Sequence, residues 1–359
     1  MAPVSRSFHD ADVDGRLVQL RVFVPGNAPE QGRKIPAAAA MPAVVMACGL
    51  LWLGDGLLGR IGLMFNDGFG YAFARCGTPC VQIHTPCRHL ARTRVMEVVV
   101  ALAWPLGFFP CMRLPLVVLH ALMLMMAVGE LWPLLVWPWL STFGIFALPI
   151  SHLLIRVTQW LSGALYADYR DHQEEIGAAV KWAKENQSLL GSDGRLVLCG
   201  YSSGGHCAAL YGVTPGPTKF EAVVLISGIY GIRTHAWTGM RKLLLAPLFD
   251  MLFGDLLGAW TDTDRDRLSP GFLCARTALP GKTLVAENWY LLSAEKELMG
   301  LQPFQDILFH SQELCDALKG RGAKVQKVTC GSNHWLLALK IDEFVRPFCE
   351  SLGKAKSVQ

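Results

Sequence analysis

The stretch from Arg195 to Leu210 constrains the fold of this chain more than any other. It combines a short apolar strand, the turn GYSSG at residues 200–204, and a helix-forming run. This G-x-S-x-G context places a serine on a sharp strand-to-helix turn with its hydroxyl exposed. Strand and helix come so close there that side chains at Gly200 and Gly204 would collide. The pattern predicts Ser202 as a nucleophile; the alternative is a glycine-rich turn that merely ends a strand.

Strand-like and helix-like segments alternate along the rest of the chain. Apolar runs typical of strands buried on both faces occur at residues 43–48, 79–84, 195–200, 221–227, 289–293 and 324–330, and residues 7–25 alternate around a turn like an antiparallel hairpin. Other stretches predict helices at residues 61–75, 171–187, 203–211, 304–319 and 341–352. We therefore expect an α/β fold, with a mostly parallel sheet covered by helices on both faces.

The composition changes abruptly between residues 98 and 155, where Arg113 and Glu130 are the only formal charges. Residues 131–155 are long enough to cross a bilayer, which takes about 20 residues, and residues 98–128 could supply a second crossing. Only 17% of the whole chain is charged, below the roughly 25% usual for soluble domains. This pattern predicts a transmembrane helical hairpin; the alternative is a large apolar cap over an active site.

The hairpin divides one α/β domain into two parts. We expect residues 1–95 and residues 161–359 to form that domain, with residues 96–160 as the apolar helical insertion. Because the strands on either side must join one sheet, the number of complete crossings is even. Basic residues at 88, 92 and 94 precede the insertion and others at 156 and 170 follow it. Such basic flanks mark the cytosolic side, so we expect a membrane protein whose catalytic part faces the cytosol.

A serine nucleophile needs a base to take its proton and an acid to orient that base. On this fold they follow the serine in the order acid, histidine. His334 lies just after the last predicted strand and is the candidate base, unless it only caps the next helix. Glu297 lies four residues past the predicted end of a strand and is the candidate acid, unless it is only a solvated surface charge. Glu295 and Asp306 are the fallbacks.

The oxyanion that forms during acyl transfer needs backbone N–H donors. Ser203, at the start of the predicted helix, offers one. The loop after the first buried strand offers the other, from Gly49 or Leu50.

At these residues the chain resembles the α/β-hydrolase esterase/lipase family, most closely carboxylesterases of the hormone-sensitive-lipase and isoprenylcysteine-methylesterase kind. The resemblance covers residues 7–95 and 165–352. It is carried by GYSSGG at 200–205, by Ser-Pro at 269–270, and by AEKE at 294–297 in place of the family's Gly-x-x-Asp. The oxyanion loop departs from the family's His-Gly-Gly, because residues 48–51 read Cys-Gly-Leu-Leu. The resemblance implies ester hydrolysis through an acyl-enzyme, without a cofactor or a metal.

Other signals are weaker. Residues 54–59 fit G-x-G-x-x-G, but the strand that follows ends in His-Thr-Pro rather than in an acid that could hold a ribose, so no dinucleotide site is expected. Cys76, Cys80, His84, Cys87 and His89 lack paired Cys-x-x-Cys spacing, so no metal site is expected either. Residues 262–267 alternate in charge and suggest a solvated loop. The net charge of +4 does not favour nucleic-acid binding.

Taken together, the sequence predicts a membrane-anchored serine hydrolase that cleaves a carboxylic ester by a Ser-Glu-His triad. The apolar insertion suggests a lipid or lipid-modified substrate, because we expect the insertion to depart from the sheet near the predicted site. Two alternatives stay open. One is a hydrolase-like membrane protein that binds or scaffolds without catalysis, and the other is an amidase or formamidase using the same triad.

Overall fold

The computed structural model describes residues 4–13, 16–26, 41–48, 57–84, 169–239, 242, 246–276, 284–297, 311–334 and 337–354. Its strands are β1 (Val4–Val13), β2 (Arg16–Pro25), β3 (Met41–Ala47), β4 (Cys80–His84), β5 (Ser192–Tyr201), β6 (Ala222–Ile226), β7 (Asn288–Lys296) and β8 (Lys324–Asn333). Its α-helices are α1 (Leu57–Arg75), α2 (Tyr169–Glu185), α3 (Gln187–Leu190), α4 (Ser203–Val213), α5 (Ala246–Leu257), α6 (Asp262–Arg267), α7 (Pro270–Arg276), α8 (Gln312–Gly320), α9 (Leu337–Lys340) and α10 (Asp342–Lys354).

The strands form one eight-stranded sheet in the order β1-β2-β4-β3-β5-β6-β7-β8. β1 pairs antiparallel with β2, and β2 pairs antiparallel with β4. The remaining neighbours, from β4 across to β8, are all parallel. The β-hairpin predicted at residues 7–25 and the predicted mostly parallel sheet are therefore confirmed. The carboxyl ends of the parallel strands meet at one edge, where a site can be assembled from several loops.

Helices cover both faces of the sheet, because the residues of its central strands point alternately to opposite sides. Val45, Leu198 and Leu225 face the cluster to which helices α2, α4, α7 and α8 contribute. Val44, Val197 and Val224 face the opposite cluster, where α1 and α10 pack. Continuous apolar runs in β3, β5 and β6 are what a strand buried on both faces requires.

Several elements differ from the prediction in length or type, and β5 and β8 extend beyond their predicted ends. The strand predicted at residues 289–293 is longer, from Asn288 to Lys296. The helix predicted at 341–352 is confirmed as α10, and the short helix α9 that precedes it was not predicted. Residues 262–267 form helix α6 rather than a loop, because Thr261 and Asp264 make a capping box, with the Thr261 hydroxyl accepting from the Asp264 N–H at 3.1 Å.

The predicted membrane insertion lies outside the described residues, because the structure describes none of residues 85–168. Among the residues that are described, no helix combines the length and the apolar composition that a membrane crossing needs.

Candidate active site

Four polar residues are each the first to follow a parallel strand. Ser202 follows β5, Ser227 follows β6, Glu297 follows β7 and His334 follows β8. These strands are neighbours in the sheet, so their carboxyl ends lie side by side. The topology therefore gathers residues that are up to 132 positions apart in the chain.

Ser202 occupies a strained turn between β5 and α4. Its backbone has φ 54° and ψ −122°, a region that residues with a side chain rarely adopt. A Cβ on Gly200 would lie 2.3 Å from the carbonyl oxygen of Gly204, and a Cβ on Gly204 would lie 2.2 Å from that of Ala47. The steric reason for glycine at both positions is thus present in the structure.

The side chains of Ser202, His334 and Glu297 form one hydrogen-bonded chain. The Ser202 Oγ lies 3.1 Å from Nε2 of His334, and Nδ1 of His334 lies 2.6 Å from Oε2 of Glu297. Since a carboxylate only accepts, Nδ1 carries the proton and donates to Glu297. This tautomer leaves the Nε2 lone pair to accept the serine proton.

All three side chains are buried, with relative exposures of 7% for Ser202, 2% for His334 and 1% for Glu297. Burial in a low-dielectric environment strengthens the attraction between an imidazolium and a carboxylate. The geometry can therefore transfer a proton from the serine hydroxyl to the histidine and stabilise the positive charge that results.

Sequence reasoning missed Ser227, which holds the carboxylate of Glu297. Its hydroxyl donates to Oε1 of Glu297 at 2.6 Å, and the backbone N–H of Ala294 donates to the same oxygen at 2.8 Å. The Ser227 backbone has φ 44°, an uncommon conformation for a residue other than glycine. The only available signal was its position, directly after an apolar strand.

Tyr201, the last residue of β5, contacts both the backbone and the ring of His334. Its hydroxyl donates to the backbone carbonyl of His334 at 2.7 Å, and the two rings stack with their centroids 5.2 Å apart. Burial raises the pKa of the Tyr201 phenol well above its ordinary value, and the nearby charge of Glu297 adds to the shift. Tyr201 therefore stays protonated and keeps its role as a donor.

The predicted oxyanion donors are only partly described. Ser203 is buried and begins helix α4, where the helix dipole favours negative charge. Gly49 and Leu50 lie outside the described residues. The loop that contains them begins at Cys48, whose carbonyl carbon would lie 2.7 Å from a Cβ on Gly204. The start of that loop is thus packed against the first turn of α4.

Of the two fallback acids, only Glu295 is described, and the carboxylate that contacts His334 is that of Glu297 instead. Glu295 is exposed on β7, and Asp306 lies outside the described residues. Within the described part of the chain, no group of three or more His, Cys, Asp or Glu side chains is placed to hold a metal ion.

No known protein-family model matches this chain. No curated protein matches it in sequence. In three dimensions it is similar to an esterase from Rhizomucor miehei, with 13% identity, a TM-score of 0.55, and coverage of 99% of this chain and 86% of that one. It is also similar to a Pyrobaculum calidifontis esterase, with 15% identity, a TM-score of 0.53, and coverage of 99% and 87%. Esterase B from Lactobacillus rhamnosis gives 14%, 0.53, and coverage of 98% and 87%.

Identities this low establish the fold and not the activity. The chain has the α/β-hydrolase fold of these esterases, as the resemblance seen in its sequence implied.

Proposed function

We propose that this protein is a serine hydrolase that cleaves carboxylic esters. The observation that carries the proposal is the buried hydrogen-bonded chain from Ser202 through His334 to Glu297, with distances of 3.1 Å and 2.6 Å. A nucleophile, a base and an acid in this order on this fold form the arrangement used for acyl transfer. The fold that the chain shares with several esterases supports the same chemistry.

In the proposed reaction, Ser202 Oγ attacks the ester carbonyl while His334 Nε2 takes its proton. The carbonyl π electrons move to oxygen and give a tetrahedral oxyanion. When this intermediate collapses, the C–O bond to the alcohol breaks and His334 returns the proton to the leaving alkoxide. Water then attacks the acyl-enzyme with the same base, which releases the acid and restores Ser202. Glu297 stabilises the imidazolium in both halves of the reaction.

We assign the oxyanion donors to the backbone N–H groups of Ser203 and of Gly49 or Leu50. The support for Ser203 is its place at the N-terminus of α4, directly after the nucleophile. The support for the other donor is the close packing of Gly204 against Ala47 and Cys48, because Cys48 directly precedes Gly49 in the chain. Each such donor is typically worth about 3–4 kcal/mol of transition-state stabilisation.

We further propose that residues 96–160 anchor the enzyme in a membrane as a helical hairpin between the two parts of the domain, with the catalytic part in the cytosol. Two structural facts support an insertion near the site. Strand β4 ends at His84, at the same edge of the sheet as Ala47, because Ala47 pairs with Ile83. Near the start of α2, the Gln173 Nε2 donates to the Cys207 carbonyl of α4 at 3.1 Å. An anchor at this edge would favour lipid or lipid-modified esters.

A fluorophosphonate probe tests the hydrolase directly, because it reacts only with an activated serine. We expect it to label the wild type and Ser203→Ala, which keeps the backbone N–H, but not Ser202→Ala. Equal labelling of wild type and Ser202→Ala would refute the assignment. An unlabelled wild type that also fails to turn over a short p-nitrophenyl ester would favour the binding or scaffolding alternative. Faster turnover of the matched p-nitroanilide would favour the amidase.

Alkaline carbonate extraction of membranes from cells that express the full chain tests the anchor. We expect the protein to stay in the membrane pellet, and protease added to the cytosolic side to reach a tag at its C-terminus. Release into the supernatant would favour the apolar cap instead. Protection of the tag in sealed vesicles would overturn the cytosolic orientation.

A further inference from the structure

A second site with nucleophilic groups lies at the opposite end of the sheet from Ser202. A surface cavity of ≈440 Å³ is lined there by Met41, which begins β3, and by residues of α1, α10 and their flanks. Ser202 lies near the other end of β3, at about 20 Å for a strand of this length. The cavity is therefore separate from the proposed esterase site.

Two cysteines from distant parts of the chain meet in this cavity. Cys76 follows the end of α1 and is half-buried, whereas Cys349 on α10 is buried. Both residues line the same cavity, and each has the largest single influence on the pKa of the other's thiol. The Thr78 hydroxyl also donates to the Cys349 sulfur at 3.3 Å, which holds that side chain in place.

The surroundings of Cys76 favour its thiolate. The hydrogen bond from Cys349 is the main cause that lowers the pKa of the Cys76 thiol to about 7; the Arg346 and Arg75 guanidinium groups lower it further, against burial and the charge of Asp342. By contrast, burial raises the pKa of the thiols of Cys80, Cys199, Cys274, Cys315 and Cys330.

We propose that Cys76 and Cys349 form a peroxide-reactive dithiol site, in which Cys76 is the attacking sulfur and Cys349 the resolving one. Cys76, which is half-buried, can meet a solute in the cavity, and the buried Cys349, which lines the same cavity, is placed to trap the product. In a reducing compartment, a disulfide of this kind is typically transient and acts in redox sensing.

The chemistry balances with hydrogen peroxide as the oxidant. The Cys76 thiolate attacks one peroxide oxygen, the O–O bond breaks, and the products are a sulfenic acid and hydroxide. The Cys349 sulfur then attacks the Cys76 sulfur, an S–S bond forms, and the hydroxyl leaves as water with the proton of Cys349. The two thiols together lose two electrons, and the peroxide is reduced to two molecules of water.

The first test maps disulfides in the wild-type full chain after brief peroxide treatment, thiol blocking, digestion and non-reducing mass spectrometry. We expect one main crosslinked peptide pair, Cys76 with Cys349, that disappears on reduction. Cys315→Ser is the matched control, because it removes a buried thiol elsewhere, and it should give the same crosslink. Over-oxidation of Cys76 without a crosslink to Cys349, or crosslinks of equal yield among other cysteines, would overturn the proposal.

The second test measures the rate at which iodoacetamide labels Cys76 as a function of pH. At pH 7 we expect labelling roughly fivefold faster than for an ordinary exposed thiol, since the larger thiolate fraction is partly offset by lower intrinsic nucleophilicity. Cys349→Ala removes the hydrogen-bond donor and should slow this labelling and raise its midpoint pH. A profile unchanged by Cys349→Ala would contradict the pairing. Both tests read sulfur chemistry, so they are independent of ester turnover, which should be unchanged in Cys76→Ser.

Discussion

The hydroxyl of Ser227 donates a 2.6 Å hydrogen bond to Oε1 of Glu297, while the other oxygen of that carboxylate lies 2.6 Å from the ring of His334. The Ala294 N–H contacts both partners, at 3.2 Å from the Ser227 Oγ and 2.8 Å from the Glu297 Oε1. Ser227 thus holds the carboxylate of Glu297, which in turn orients the ring of His334. We infer that it is a positioning residue of the proposed triad.

Removal of the Ser227 hydroxyl should lower kcat with little change in KM. Both Ser227→Ala and Ser227→Gly should lose about tenfold in kcat, because a hydrogen bond to a charged group is worth about 1.5–3 kcal/mol and only part of it acts in the transition state. The two variants differ in stability. Glycine tolerates the φ of 44°, so the free energy of unfolding of Ser227→Gly should be about 1 kcal/mol higher than that of Ser227→Ala.

Steady-state kinetics on a p-nitrophenyl ester and urea unfolding of both variants check this. If kcat followed stability, with Ser227→Gly as active as the wild type, the hydroxyl would have no positioning role.

Substitution of Gly204 should damage both the fold and the site. A Cβ there would lie 2.2 Å from the Ala47 carbonyl oxygen, so the end of β3 or helix α4 must move. We expect Gly204→Ala to lose about 1–3 kcal/mol of unfolding free energy and most of its ester turnover.

Gly177→Ala is the matched control for this substitution. Gly177 lies within helix α2, and the nearest atom to its added Cβ is the Tyr211 hydroxyl at 4.0 Å. Alanine in a helix interior should raise stability by about 0.5–1 kcal/mol and leave turnover unchanged. If the two variants unfolded at the same temperature, a side chain at residue 204 would not clash with Ala47.

The stability of the protein should fall between pH 6.5 and pH 4 because of His206. Its Nε2–H donates to the Leu268 carbonyl at 2.7 Å, and burial lowers its pKa from 6.5 to about 4. The unfolded state therefore binds a proton in this window that the folded state does not. The stabilisation is complete above pH 6.5 and is lost as the pH falls towards 4, by roughly 3 kcal/mol.

His206→Gln keeps a donor for Leu268 and removes the titration. Urea unfolding of both proteins at several pH values isolates the contribution, because the carboxylates that also titrate are common to the two. We expect the wild type to lose more stability than the variant on acidification. Parallel curves would show that His206 is not the cause.

The hydroxyl and the ring of Tyr201 should make separable contributions to kcat, because each contacts His334 in a different way. Tyr201→Phe keeps a ring that can stack and removes the donor to the His334 carbonyl. We expect it to lose about 1–2 kcal/mol of stability and a few-fold in kcat. Tyr201→Leu also removes the stacked ring, so its kcat should fall further. Equal kcat values for the two variants would argue against any contribution from stacking.

Much of the candidate site is predictable from local patterns. Ser202 is predictable because the glycines on either side of it are needed for a steric reason that lies within five residues of sequence. His334 and Glu297 are predictable because each follows an apolar strand, in the order that the fold requires. Helix α6 is not predicted, because the alternating charge of residues 262–267 is typical of a solvated loop, whereas the structure shows that Thr261 and Asp264 form a capping box.

The sequence by itself determined the alternation of strands and helices, the sharp turn at Ser202, and His334 and Glu297 as the candidate base and acid. These depend on side chains within a few residues of one another. Only the tertiary structure decided that Ser227 hydrogen-bonds to Glu297, that Tyr201 hydrogen-bonds to His334, and that Cys76 and Cys349 line one cavity. Such contacts depend on the lateral order of the strands and the packing of helices across the sheet, and apolar runs of similar length do not specify which strand lies beside which.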